Sequence, residues 1–85
     1  MIEGALSFAT VPALLAERGD ALAAAGTLDL SAVDHVDSAG IACLLELRRR
    51  SGGALQLTAI PPQMQALADF LGVGTLLGLE NPDPQ

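Results

Sequence analysis

With 85 residues, 51% of them hydrophobic and 16% charged, the chain suits one small folded domain near the lower size at which a single core is stable. Ten acids against four arginines give a net charge of −6, a field that opposes nucleic acid and anionic lipid headgroups as direct ligands. Phe8 and Phe70 are the only aromatic residues, so no stacking platform for bases is available either.

In chain order, Ala5-Leu6-Ser7-Phe8 predicts a strand with Leu6 and Phe8 on one face. Thr10 is placed to cap a following helix, and Pro12 fits its first turn, where a missing N–H is harmless. Val11, Leu14, Leu15, Leu22 and Ala25 form the inward stripe of that helix, with Glu17 and Asp20 outside. Gly19 marks a kink or a close helix contact, and Gly26 is the expected C-terminal cap.

Thr27 to Ser31 predicts a second strand and Ala54 to Ala59 a third. Both alternate: Leu28, Leu30, Leu55 and Leu57 on one face, Thr27, Asp29, Ser31, Gln56 and Thr58 on the other. A parallel strand covered on both faces reads instead as a continuous apolar run. The expectation is therefore an α/β fold whose helices pack mainly on one face of the sheet. A deeply buried helix is predicted from Ser38 to Arg50, and a final helix opens at Pro61-Pro62, carries Met64, Leu67, Ala68 and Leu71 inward and stops at Gly72. Leu28, Leu30, Ile41, Leu44, Leu45, Leu55 and Leu57 form the candidate core. Val73 to Leu79 reads as a short closing strand or an apolar tail. Residues 1–80 form the expected domain and residues 81–85 a frayed tail.

Candidate chemistry is sparse. Arg48, Arg49 and Arg50 read as a solvated helix end where cations oppose the macrodipole, with a partner contact as the alternative. Cys43 is the single cysteine and lies in an apolar run, which fits an inert buried thiol and leaves neither a disulfide nor a zinc ligand set. Met1 leads into Glu3 and Gly4, not a basic region, so no signal peptide is expected. The run Ile60 to Ala68 is short and holds two prolines, so no direct membrane insertion is expected and the reducing cytoplasm is the default compartment.

The unusual stretch is Asp34-His35-Val36-Asp37-Ser38-Ala39-Gly40, which follows a strand and opens the buried helix. Ala39 and Gly40 leave first-turn N–H groups approachable, an anion site in principle. Ser38 is placed to cap the helix or to carry a phosphate there; equally, Asp37 or Ser38 is simply an N-cap. Asp34, His35, Asp37 and Ser38 do not make a hydrolase triad, because residues so close in one turn cannot set nucleophile, base and orienter together. A lone His35 lacks metal co-ligands, and Gly72-Val73-Gly74 follows a helix without a lysine, so it is a turn. No catalytic residue, metal or cofactor is expected.

Leu28-Asp29-Leu30-Ser31 and Asp37-Ser38-Ala39-Gly40-Ile41 together resemble the STAS family, named for sulfate transporters and anti-sigma factor antagonists. The family pattern is an apolar strand, Asp-x-Ser, a loop, and Asp-Ser-x-Gly opening a helix; the similarity runs from Gly4 to Val73. It implies a STAS-like (SpoIIAA-like) fold and a non-enzymatic interaction module. Gly4 to Thr10 and Leu55 to Val73 are most similar to the MlaB branch, cytoplasmic subunits of Mla phospholipid ABC transporters that bind the ATPase subunit MlaF. The resemblance thus implies a transporter ATPase partner, a place peripheral to the inner membrane and a contribution to lipid asymmetry. The alternative branch is the anti-sigma factor antagonists, in which the serine matching Ser38 is phosphorylated by a partner kinase. The resemblance places the family's functional serine or threonine at Ser38, and the partner surface is expected to centre there, flanked by Asp37, Ala39, Gly40 and Ile41 and widened by Pro61, Pro62, Gln63 and Met64. STAS domains usually begin with one more strand; only three residues precede Gly4, so that strand is expected to be missing or very short. The bare sheet edge would then invite self-association.

Overall fold

A computed structural model of the chain describes residues 2–74, 76 and 77. Seven elements follow one another: β1 (Gly4–Leu6), α1 (Val11–Ala23), β2 (Thr27–Asp29), β3 (Val33–Val36), α2 (Ser38–Arg50), β4 (Gln56–Thr58) and α3 (Pro62–Leu71). This is a small α/β fold of three helices and short parallel strands. β1 pairs with β3 (Leu6 opposite Val36), and β2 pairs with β4 (Leu28 opposite Leu57). Among the described residues no strand lies on the other edge of β1 or of β4.

β2 and β3 are two halves of one extended run, bent between Asp29 and Val33. The Asp29 carboxylate accepts from Ser31 N–H at 2.8 Å, a local turn that redirects the chain. Leu30 N–H still donates to Thr58 and Gly4 N–H donates to Ala32, so the bend hands the run from one neighbour to the other. No strand was expected at Val33–Val36, where Asp34 and His35 interrupt any alternation. A register shift beside Gly4 and Ala5 opposes two residues of β3 to one step of β1, and it leaves both Val33 and Val36 facing the core.

The core joins Leu6, Leu28, Leu30, Val33 and Val36 from the strands to Leu22, Ile41, Leu44, Leu47, Met64 and Ala68 from the helices. Thr27, Asp29, Gln56 and Thr58 stay exposed, so the sheet face turned away from this core is open as expected. Leu45 and Leu57 are corrections to the expected core: both are only half-buried, Leu57 because β4 is an edge strand. Ala25 is exposed because α1 ends at Ala23, and Leu71 is exposed at the end of α3. Phe8 is the largest departure. The strand stops at Leu6, and the ring stands 76% exposed on the following turn.

α2 covers the predicted range, and Gly72 ends α3 in the left-handed region at φ 74°. Gly19 marks a close contact, since a Cβ there would run into the Arg50 guanidinium, which crosses α1 to meet Asp20. Of Val73 to Leu79, the described residues 73, 74, 76 and 77 form no strand, though Leu77 is buried. The expected tail 81–85 lies outside the described residues. Among the described residues no helix is long and apolar enough to cross a membrane.

Candidate functional site

The stretch singled out in the sequence lies where β1, β3 and β4 end and α1, α2 and α3 begin. Its centre is the first turn of α2. Asp37 is the N-cap, and its Oδ1 accepts from Gly40 N–H at 3.0 Å. Its Oδ2 accepts from Phe8 N–H at 3.1 Å. Of the two candidate caps Asp37 therefore fills the role, which leaves Ser38, the first residue of α2, exposed with its hydroxyl unused as a cap. The Phe8 N–H, helped by the amides of Gly40 and Ala39, stabilises the charged form of Asp37 and holds its carboxyl below the usual range.

Gly40 is buried against the end of β1. A Cβ at this position would overlap the Leu6 carbonyl and crowd Val36, so the glycine permits helix and strand to touch. Ala39 is half-buried beside it. Ile41 and Met64, expected among the contact residues, turn their side chains into the core at 1% and 0% exposure. They hold the surface in place from beneath and do not line it. Pro61 is half-buried, while Pro62 and Gln63 are exposed. Gln63 Nε2 donates to the Asp34 carbonyl at 3.0 Å, which ties the start of α3 to β3. Ala59, just before this segment, holds a positive φ of 56°, a cost for a residue with a Cβ.

The turn from β1 to α1 is braced on the same side. Ser7 N–H donates to Thr10 Oγ1 at 3.0 Å, and that hydroxyl donates to the Ala5 carbonyl at 2.9 Å. Thr10 thus does not cap α1 with its side chain, as the pattern suggested; it closes the turn back onto β1. The sequence singled out neither this brace nor Phe8 as a surface residue. The signal was available in Thr10, whose hydroxyl serves a turn as readily as a helix start.

At the other end of α2, Arg48 is half-buried and engaged with the chain. Its Nη1 donates to Leu55 at 2.8 Å and Leu77 at 3.4 Å, and its Nη2 donates to Gly53 at 3.1 Å. Arg49 and Arg50 both engage Glu46, and Arg50 also meets Asp20. The hydrogen bonds from Arg49 and then Arg50 draw the Glu46 carboxyl down to about 2. Cys43 is buried, and burial pushes its thiol up to about 11. Among the described residues no group of three or more His, Cys, Asp or Glu side chains could hold a metal ion. The α2 N-terminal end offers an exposed hydroxyl, small neighbours and a fixed backbone, which is the equipment of a contact surface.

Compared with protein-family models, residues 1–78 match the STAS domain model described as "Mlab, STAS domain". No curated protein and no solved structure was found to match the chain.

Proposed function

The chain belongs to the STAS domain family, a family of protein-interaction modules, and from that premise we propose that it docks on the ATPase subunit of a phospholipid ABC transporter of the Mla type. In this reading it supports the assembly or activity of that subunit without catalysis of its own, and so contributes to outer-membrane lipid asymmetry. It works in the cytoplasm and reaches the inner membrane only through its partner. The observation that carries the reading is the Mlab description of the family model over residues 1–78. The docking surface proposed is the α2 N-terminal end: Ser38 at its centre, Asp37 and Ala39 around it, and Pro61, Pro62 and Gln63 beside it, whereas Gly40, expected among the contact residues, is buried against β1. Three features support that placement. Ser38 is exposed on a helix whose position is set by a buried face. Its neighbour Ala39 is small and only half-buried, which lets another backbone approach. The arginines at the opposite end are already engaged within the chain.

The exposed Ser38 hydroxyl also favours a second reading, an anti-sigma factor antagonist switched by a serine kinase that phosphorylates this residue. Titration against the purified transporter ATPase subunit and against the purified anti-sigma kinase of the same organism separates the two. The first reading expects binding to the ATPase alone, weakened about tenfold or more by Ser38→Glu and unaffected by Arg49→Ala. Binding and phosphorylation by the kinase, without ATPase binding, would establish the second. If Ser38→Glu folds and binds normally while Arg49→Ala loses the partner, the surface belongs at the other end of α2.

A further inference from the structure

We infer that Phe8 is the anchor of the docking surface and that it fits an apolar pocket with a basic rim on the partner protein. The inference rests on the docking reading above and adds to it the residue and the partner chemistry. Single exposed apolar side chains are common on protein surfaces and call for no explanation by themselves. Phe8 differs in how its backbone is held. Ser7, on one side, is buried, and its carbonyl accepts from Thr10 N–H at 2.9 Å and Val11 N–H at 2.8 Å. The Thr10 hydroxyl fastens Ser7 and Ala5 on the same turn. Phe8's own N–H is held by Asp37, the residue that caps α2. Each brace costs ordering that folding has already met, so the backbone that carries the ring loses little further freedom on binding.

The ring projects from a turn tied through Asp37 to the exposed Ser38. A large rigid aromatic beside small residues that permit close approach is the anatomy of a hot spot. Phe70, the other aromatic, is 86% exposed but lies near the far end of α3, where no comparable bracing joins it to the α2 start. It serves as the internal control.

Charge fixes the chemistry of the rim. The segments that build this end, residues 4–10, 33–41 and 59–65, contain no lysine or arginine; their charged side chains are Asp34 and Asp37, with His35 between them. The three arginines of α2 are at its last turn, about 20 Å along a helix of 13 residues. An apolar anchor on segments that carry carboxylates and no lysine or arginine is complemented by an apolar hollow with a basic rim, and such pairing also steers encounter.

The test measures affinity for the purified transporter ATPase subunit by calorimetry, for the full chain and for Phe8→Ala, Phe8→Leu, Phe70→Ala and Asp34→Asn. Phe8→Ala is expected to weaken binding about tenfold or more with an unchanged melting temperature, Phe8→Leu to recover part of the loss, and Phe70→Ala to bind as wild type. Affinity should fall as salt is raised, and less steeply in Asp34→Asn. Wild-type binding that Phe8→Ala leaves intact would overturn the anchor while the docking reading stands. A lowered melting temperature in Phe8→Ala would show that the ring serves the fold, with the same consequence. Salt-independent wild-type binding would overturn the basic rim. A wild-type chain that does not bind the ATPase at all overturns the docking reading and the anchor with it.

Discussion

The carbonyl oxygen of Leu6 occupies the space where a Cβ on Gly40 would stand. Backbone, not a pliable side chain, fills that space, so Gly40→Ala must push α2 away from β1. The expected cost is about 1–3 kcal/mol of stability, read as a lower urea midpoint with little change in slope. An unchanged midpoint would mean that the first turn of α2 can shift freely, and the packing described here would be wrong.

Acid should weaken the fold in a defined window. Asp37 is held below its ordinary value chiefly by the Phe8 N–H, and Glu46 is drawn from an ordinary 4.5 to about 2 by Arg49 and then Arg50. A carboxyl whose folded pKa is lowered contributes stability that is present above its unfolded pKa and is lost as pH falls through the folded one. Thermal stability should therefore hold on descending to about pH 4.5 and decline between there and about 2. Glu46→Gln should flatten part of that decline, because the glutamine has no charge to lose. Both ion pairs of Glu46 are surface contacts screened by solvent, so the effect should shrink in high salt.

Two leucines expected to share the core should separate on truncation. Leu44 is fully buried, and Leu44→Ala should cost about 2–5 kcal/mol, a large share of a small domain's stability. Leu57 is half-buried on an edge strand, and Leu57→Ala should cost clearly less, about 1–2 kcal/mol. Guanidinium denaturation of the two variants compares them directly. Equal losses would place Leu57 in the core after all.

The Cys43 thiol should be silent in the native state. Burial raises it to about 11 and removes it from solvent, so neither thiolate nor access is available near neutral pH. A disulfide reagent should modify it only at the rate of global or local opening, and promptly in denaturant. Rapid modification of the native chain would contradict the packing of α2.

Helix positions were legible because each helix carries a long pattern and clear punctuation. Pro61-Pro62 and Gly72 bracket α3, and the apolar run into the arginines marks α2. The strands were less legible, since three- and four-residue strands hold too few alternations to define a period. β3 was missed because Val33 and Val36, set apart by Asp34 and His35, fit no alternation, and only an irregular register with β1 turns both inward. Phe8 misled because apolar character points inward by default, while the turn that ends β1 is set by the Thr10 hydroxyl three residues after Ser7. At the candidate site, local residues determined the cap and the exposure of Ser38. What no local pattern contains is the contact between distant segments: Asp37 with Phe8, Gly40 with Leu6, Gln63 with Asp34. The arginines were read as one cluster of like residues, yet a helical step of 100° sends Arg48 inward while Arg49 and Arg50 reach Glu46.

Arg48 gathers the carbonyls of Gly53, Leu55 and Leu77 onto one guanidinium. Three stretches of chain, the turn after α2, the approach to β4 and the segment beyond α3, thereby share a single knot. Such a knot makes their fluctuations concerted: loosening Leu77 exposes donors that Gly53 and Leu55 must then hold alone, and an opening that begins in the last segment spreads into the end of α2. Slow-exchanging amides near Leu55 and Ser51 would consequently report on the anchoring of residue 77, although more than twenty residues of sequence lie between them. In a domain this small, the persistence of the sheet's last strand is governed partly from outside the sheet, by one cation at a helix end.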